Sequence, residues 1–290
     1  MKPEFAALRD AQGRVDFDLH AAWSPSMHRA FLGSGADGLV ANYARGFAGR
    51  DIAFVRGLPL RRLTILDRGI ADLTPVHDLG STLEELSVHV APGAFLDLTL
   101  LPRLRVLACA WDQVRDTIGA TDRLEDLYLS PYREEDMTPL SHLTSLRSLR
   151  MKERPGVRAL DGVEAMPWLT HLGVYGAPLE DTGALSRLAS PVLTRLDVAS
   201  CRRITSLVDV GCLVGLRELD VSDGGPLASV GPIAGLTQLE RLDLHGSTTI
   251  ADGDLTPLLS LGRLRDLRLM NRRHYDPTVD TIRARLGIQH

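Results

Sequence analysis

Three aspartates recur at one position of a repeated pattern and are the most regularly spaced chemistry-bearing residues. Asp197, Asp220 and Asp243 follow one another at intervals of 23 residues. On neighbouring strands of a sheet they would lie about 4.8 Å apart. Like charges about 5 Å apart repel by about 0.8 kcal/mol in water and about 3 kcal/mol at an effective dielectric of 20. Such a row must be solvated or countered by cations, and it could receive a basic segment of a partner. The alternative is that aspartate merely recurs with the repeat.

Other residue types that support catalysis or metal binding are scattered. No pair of histidines has the helical spacing of a metal site, and there is no Cys-x-x-Cys and no glycine-rich phosphate loop. His89, His171 and His245 fall at outward positions of different, non-adjacent strands. A Ser–His–Asp triad needs neighbours in space, and nothing in the sequence indicates one. We therefore predict no catalytic residue, no cofactor and no metal, in a protein that is not an enzyme.

Short strands must position the aspartates. In each segment of the form L-x-x-L-x-L the last two apolar residues alternate with polar ones, so both point to one side. Leu196 and Val198 therefore face inward, and Arg195 and Asp197 face outward. Stacked copies bury their apolar sides as a parallel sheet. Ten clear motifs begin at Leu60, Leu83, Leu104, Leu124, Leu146, Leu169, Leu193, Leu216, Leu239 and Leu264.

The segments between strands have a different period. After the Leu193 strand, apolar residues recur every third position at Ile204, Leu207, Val210 and Leu213, which favours 3₁₀ turns or extended loops over an α-helix. The whole pattern resembles the short, internalin-like class of leucine-rich repeats, of about 22–24 residues, from bacterial proteins. That resemblance implies an α/β solenoid. Its arc would carry a parallel β-sheet on the concave face and 3₁₀ or extended return segments on the convex face.

The repeat and its flanks predict three regions. Residues 1–37 lack the repeat and are expected to form an N-terminal cap, with a strand over 14–19 and a turn at 24–26. Residues 38–270 form the solenoid, with one degenerate repeat before the ten clear ones. Residues 271–290 contain a C-terminal capping helix over 277–286, for which Asp276 is the expected cap, Pro277 the first residue and Gly287 the end.

Composition limits the classes of partner and the cellular compartment that are expected. The chain has 290 residues, is 44% hydrophobic and carries a formal charge of −4, which does not favour nucleic acid or membrane binding. Its first residues lack a signal-peptide apolar run, and no stretch approaches a membrane span of about 20 apolar residues. Three cysteines are too few for a disulfide framework. A cytoplasmic monomer with structural thiols is expected.

Outward positions of the middle and later repeats supply the candidate contacts. The middle repeats gather aromatic residues, which are enriched where interfaces concentrate binding energy. Trp111 and Tyr132 have an alternative explanation, which is packing inside the irregular short repeats. The predicted partner-binding residues are Trp111, Tyr128, Tyr132, Arg150, Tyr175, Asp197, Asp220 and Asp243.

The function that these features favour is non-catalytic binding of a partner protein, possessing a basic segment, through the concave face. One alternative is a regulator of the GTPase-activating kind. Repeats of about 23 residues argue against the helical class that contains such regulators, and no arginine is distinguished as a finger. The other is an immunity or effector-type protein. Effector ubiquitin ligases of this family carry a separate catalytic domain, for which about 20 residues after the last strand are too few.

Overall fold

The chain divides into two units, Met1–Tyr128 and Leu129–His290. The structure, a computed structural model, describes residues 3–188 and 192–288. The predicted caps therefore include residues 1–2 and 289–290, which lie outside the described residues.

Strands of the first unit pair in chain order. After an antiparallel hairpin of β1 and β2, each strand from β2 to β6 lies parallel to the next. The strand β7 lies at the division between the units. The elements are β1 Phe5–Arg9, β2 Val15–Leu19, α1 Pro25–Ser34, β3 Gly38–Asn42, β4 Arg62–Leu66, α2 Thr74–His77, β5 Glu85–His89, β6 Val106–Cys109 and β7 Asp126–Leu129.

Strands of the second unit form a parallel sheet with one small companion. The order is β8, β9, β10, β11, β13 and β15, and β12 pairs with β14 separately. The elements are β8 Ser148–Met151, β9 His171–Val174, β10 Arg195–Asp197, β11 Glu218–Asp220, β12 Pro226–Leu227, β13 Arg241–Leu244, β14 Thr249–Ile250, β15 Asp266–Leu269 and α3 Val279–Leu286.

Leucines at equivalent repeat positions stack as a buried row. Leu196, Leu219 and Leu242 are cross-strand partners in one register, and each is at most 1% exposed. A slip of one residue would turn every leucine to the opposite face, so burial of this row holds the register. The predicted parallel sheet with alternating inward leucines is confirmed.

The return segments also follow the prediction, because short 3₁₀ turns dominate them. Val210–Cys212 and Gly231–Gly235 are examples, with Val210 and Ile233 buried. A residue every third position presents one face of a 3₁₀ turn to the core. One return segment differs, since Thr74–His77 forms a single α-helical turn.

Side chains in the loops form hydrogen bonds with backbone groups at the ends of the strands. The Cys201 thiol lies 3.2 Å from the Val174 carbonyl oxygen, to which it donates, and burial raises the pKa of this thiol to about 11. The fully buried Thr248 donates to the Val221 carbonyl at 2.6 Å and accepts from the Gly224 amide at 2.9 Å. Both side chains satisfy backbone groups that burial would otherwise leave unpaired.

The N-terminal segment contains the predicted strand and an unpredicted helix. β2 matches the predicted strand, but the Ser24-Pro-Ser26 segment starts α1 and is not a turn. The Ser24 hydroxyl accepts a hydrogen bond from the Met27 amide at 3.3 Å, and Pro25 occupies the first helical position. Serine followed by proline suits a helix start as well as a turn, so the sequence pattern was ambiguous. That this segment acts as a cap stays a prediction.

The last helix begins two residues later than predicted. Thr278 is its cap and accepts from the Thr281 amide at 3.3 Å. Asp276 lies two residues before that cap. There its amide donates to the Gly253 carbonyl and its carbonyl accepts from the Leu255 amide, in an isolated parallel bridge with Asp254. Gly287 ends the helix with a φ of +71°, as predicted.

Deleting residues 276–290 is expected to lower the free energy of unfolding by several kcal/mol and to cause aggregation. Val279 and Ile282 are fully buried, and burial of each such side chain contributes about 1.5–3 kcal/mol. Urea denaturation and light scattering measure the two effects, with deletion of residues 288–290 as the control. Unchanged stability and scattering after the longer deletion would show that the helix is a dispensable tail.

Candidate functional site

The three repeated aspartates form a row across neighbouring strands of the second unit. Asp197 pairs in register with Asp220, and Asp220 with Asp243. Their surroundings differ, because Asp197 and Asp243 are only 3% and 2% exposed while Asp220 is half-buried. An outward position on a sheet is normally open to solvent, so neighbouring side chains must cover the two outer aspartates.

Three donors converge on Asp197. His171 Nε2, the Tyr175 hydroxyl and Arg195 Nε lie 2.9, 2.8 and 2.8 Å from its Oδ2 atom. Burial alone would raise the pKa of Asp197. The hydrogen bonds from His171, Arg195 and Tyr175 more than offset burial and lower that pKa to about 2. Asp197 is therefore ionised at neutral pH, and its Oδ2 atom accepts all three hydrogen bonds.

A glycine allows Tyr175 to reach across the sheet. Gly173 is the cross-strand partner of Asp197, and a Cβ atom at Gly173 would lie 2.9 Å from the Tyr175 ring. Without that side chain the ring lies back over β9 and its hydroxyl meets the next strand. The Lys152 ammonium lies 4.7 Å from the ring centroid on the other side. Burial, and then the hydrogen bond to Asp197, raise the pKa of Tyr175.

Asp243 is countered by different residues. His245 Nδ1 lies 2.5 Å from Asp243 Oδ1, and this hydrogen bond raises the pKa of His245. Arg241 and Arg268 bring guanidinium nitrogens to 3.8 and 3.7 Å from Oδ2. The charge of Asp243 is thus balanced from its own strand and from β15.

Asp220, in the middle of the row, differs from its two neighbours. Its Oδ1 accepts a hydrogen bond from the Ser222 amide at 2.8 Å. Across residues 3–188 and 192–288, no basic group comes within 4.0 Å of its carboxylate. Arg195 turns instead to Asp197 and to Glu218, at 3.2 Å from the latter. The row is therefore countered at both ends and open at its centre.

Comparison with known proteins identifies the fold. No family model and no curated protein matches the chain. Among solved structures, an internalin (inlF) from Listeria monocytogenes superposes with a TM-score of 0.61 at 22% identity, over 78% of this chain and 67% of its own. A Leptospira interrogans leucine-rich-repeat protein gives 0.66 at 15%, over 86% and 64%. This is the leucine-rich-repeat fold.

A plant protein shares the same fold. The peptide hormone receptor RGFR1, solved in complex with RGF2, gives a TM-score of 0.53 at 14% identity, over 90% of this chain and 47% of the receptor chain. The chain thus spans about two thirds of the two bacterial leucine-rich-repeat proteins and about half of the plant receptor. The resemblance to internalin-like repeats is confirmed at the level of the fold.

Two predicted contact residues lie inside the leucine-rich repeats and not on the sheet face. Trp111 is 3% exposed in a 3₁₀ turn, and Tyr132 is fully buried with its hydroxyl donating to the Asp136 carbonyl at 2.8 Å. The packing alternative agrees with this placement. Neither side chain offers surface to a partner.

The other predicted residues lie on strands or next to them. Tyr128 on β7 and Arg150 on β8 are half-buried, and Tyr175 directly follows β9. Sequence reasoning missed the roles of His171 and His245, which it treated as scattered. Strand geometry could have indicated both contacts. His171 stands opposite Arg195 in register, and His245 follows Asp243 by two residues on the same face.

Two other observations concern metals and membranes. Within the described part of the chain, no group of three or more histidine, cysteine, aspartate or glutamate residues could hold a metal ion. In those same residues, every helix is too short or too polar to cross a lipid bilayer.

Replacing Gly173 with alanine is expected to cost about 1.5–3 kcal/mol, the net value of a hydrogen bond to a charged group. The new methyl group would displace the Tyr175 ring and break its bond to Asp197. Tyr175→Phe removes the same bond, so the double variant should lose little more than either single variant. Urea denaturation of all three measures this, and additive losses would contradict the displacement.

Proposed function

We propose that this leucine-rich-repeat protein binds a partner protein, without catalysis, through the outward face of the sheet in its second unit. The partner presents a basic segment, and Asp220 receives one of its lysine or arginine side chains. The observation that carries the proposal is the contrast within the aspartate row. Asp197 and Asp243 are buried and countered, whereas Asp220 is half-exposed and, in the described part of the chain, no basic group lies within 4.0 Å of its carboxylate.

The charge pattern favours a cation at the middle of this face. Asp220 stands one strand spacing, about 4.8 Å, from each of its two neighbours. The donors around Asp197 and Asp243 are engaged by those two carboxylates, and Glu218 on the same strand is 43% exposed and ion-paired to Arg195. A basic side chain placed here would meet two carboxylates. Complementary charge of this kind mainly raises the association rate.

The fold supports a protein ligand. Stacked parallel strands present a broad, rigid surface whose residues are already ordered, so little entropy is lost on binding. The plant receptor RGFR1, which shares the fold, was solved in complex with RGF2. A non-enzymatic binding role is therefore the function that geometry and fold together favour.

Tyr175 and Arg150 are the further contacts that we propose on this face. The Tyr175 ring is held by Asp197 on one side and Lys152 on the other, so it would lose little freedom in a complex. Aromatic rings and arginines dominate interface energetics. Tyr128 stays a proposed contact of the first unit.

The proposed compartment is the cytoplasm. Cys109 and Cys201 are buried free thiols and Cys212 is an exposed one. Burial raises the pKa of Cys109 and of Cys201, which suits a structural role. An exposed free thiol persists most readily where the medium is reducing.

The partner itself provides the test. Immobilised wild-type protein would capture it from native cell extract, and association would then be measured with the purified partner. Asp220→Asn should slow association by about threefold at low salt, and raising the ionic strength to 0.5 M should remove most of the difference, because screening shortens the range of charges to about 4 Å. Asp252→Asn, an equal charge change at an exposed position outside this face, is the matched control.

One outcome of this experiment supports the proposal and two others refute parts of it. Slower association for Asp220→Asn but not for Asp252→Asn supports the face and the basic segment. Association that ignores both the substitution and the salt would refute the role of Asp220. Chemical modification or cleavage of the captured partner by this protein would refute a non-catalytic role.

A further inference from the structure

The first strand of the first unit has an open outer edge. β1 stands at the end of the sheet, and within the described residues β2 is the strand that pairs with it. Its five residues pair in one regular register, from Phe5 opposite Leu19 to Arg9 opposite Val15, without a bulge. The segment contains no proline. Natural proteins often use a β-bulge or a proline to keep an edge strand from pairing with another chain, and β1 has neither.

Hydrogen bonds at the two ends of the hairpin show which backbone groups are free. The His20 amide donates to the Glu4 carbonyl at 2.8 Å, and the Asp10 amide donates to the Arg14 carbonyl at 3.0 Å. In an antiparallel pair the residues that bond the neighbouring strand alternate with those that do not. Even-numbered residues of β1 therefore bond β2. The amides and carbonyls of Phe5, Ala7 and Arg9 point away from it.

The last strand of the second unit shows how such an edge is covered elsewhere in the chain. The Arg283 guanidinium donates to the Leu267 carbonyl of β15 at 3.0 Å. Arg283 belongs to α3, whose Val279 and Ile282 are fully buried. No comparable side chain bonds the outer edge of β1 within the described residues.

We propose that β1 pairs with β1 of a second copy of this chain, antiparallel, about a twofold axis at Ala7. This register uses the whole strand and aligns all three outward-bonding residues, because Phe5 meets Arg9 of the second copy and Ala7 meets Ala7. It gives three hydrogen-bonded pairs with two bonds each. An edge that is its own complement forms the closed, isologous contact typical of homodimers.

The side chains suit this register. Leu8, which is 49% exposed, falls opposite Ala6 of the second copy, so a large residue faces a small one. Arg9 falls opposite Phe5, where a guanidinium and an aromatic ring attract. At the strand ends Glu4 would approach Asp10 of the second copy, but Asp10 is already paired with Arg14 at 2.6 Å. The sequence predicts a monomer because it does not show which edges remain unpaired.

The test is the mass of the full chain in solution as its concentration increases. Light scattering after gel filtration should approach twice the 31.7 kDa of one chain. Ala7→Pro removes the amide at the axis without removing a bond to β2, and proline is tolerated on edge strands. This variant should stay at 31.7 kDa, while the matched Ala7→Ser, which keeps the amide, should dimerise like the wild type.

A second variant keeps the test decisive if proline disturbs the hairpin. Ala7→Lys keeps the amide but places two like charges at the axis, so its dimerisation should weaken at least tenfold and recover partly in high salt. Circular dichroism would show that each variant remains folded. A wild-type mass of 31.7 kDa at every concentration would overturn the proposal. So would a dimer that neither substitution weakens, or an edge that pairs only with a strand of another protein.

Discussion

Replacing Tyr132 with alanine is expected to lower the free energy of unfolding by about 4 kcal/mol. Tyr132 is fully buried, and removal of a buried aromatic side chain typically costs 3–5 kcal/mol through lost burial and the cavity left behind. Its hydroxyl also satisfies the Asp136 carbonyl. Chemical denaturation followed by circular dichroism measures the loss.

Two matched variants assign this loss to packing. Tyr132→Phe keeps the ring and should cost only about 1 kcal/mol, the value of one hydrogen bond. Tyr175→Ala should have the opposite profile, with a smaller loss of stability and a clear loss of partner affinity. If Tyr132→Ala stays as stable as the wild type and binds the partner weakly, the buried placement of Tyr132 is wrong.

Replacing Asp197 with asparagine is expected to cost about 2 kcal/mol at neutral pH. The pKa of Asp197 is lowered from its ordinary 3.8 to about 2, and each unit of difference between folded and unfolded states is worth about 1.4 kcal/mol. The side chain is only 4% exposed, so solvent screens these interactions little. The amide keeps the shape of the carboxylate but not its charge.

The same pKa predicts the pH dependence of that loss. A carboxyl group whose pKa is lowered by folding stabilises the protein above its unfolded pKa, and this contribution disappears as pH falls through its folded pKa. The stability difference between wild type and Asp197→Asn should therefore be full at pH 6 and shrink between about pH 4 and pH 2. Denaturation curves at pH 6, 4 and 2.5 would show the trend.

Asp220→Asn is the natural control for this experiment. Asp220 occupies the same repeat position on the next strand but is half-buried and, among the described residues, has no ion-pair partner. Its replacement should therefore change stability by less than about 0.5 kcal/mol. A pH-independent difference for Asp197→Asn, or an equal loss for Asp220→Asn, would contradict the distinct roles of the two aspartates.

The repeat architecture follows from the amino-acid pattern alone. Alternation of leucine with polar residues is local, and its recurrence at about 23 residues permits only stacked strands whose leucines share one face. The register of Leu196, Leu219 and Leu242 follows from that pattern. The period-three segments likewise predicted 3₁₀ turns, because the residues that face the core in such a turn are three apart.

Element boundaries depended on contacts outside the local pattern. Ser24-Pro25 suits a turn or a helix start, and packing of Met27 and Phe31 in the first unit accompanies the helix. Asp276 suits a helix cap by residue type, but in the structure its backbone is bonded to Gly253 and Leu255 and the helix begins at Val279. Local preference leaves such alternatives nearly equal in energy, and tertiary contacts select one.

The differences within the aspartate row were decided only by the tertiary structure. One residue type at one repeat position predicts three equivalent carboxylates. Gly173 lets Tyr175 reach Asp197, His171 lies close enough on β9 to bond it, and Arg268 approaches Asp243 from β15. These side chains belong to other strands, and neither their reach nor their direction is encoded in the spacing of aspartates. Asp220 remains open because its neighbours in space, rather than in sequence, are already engaged.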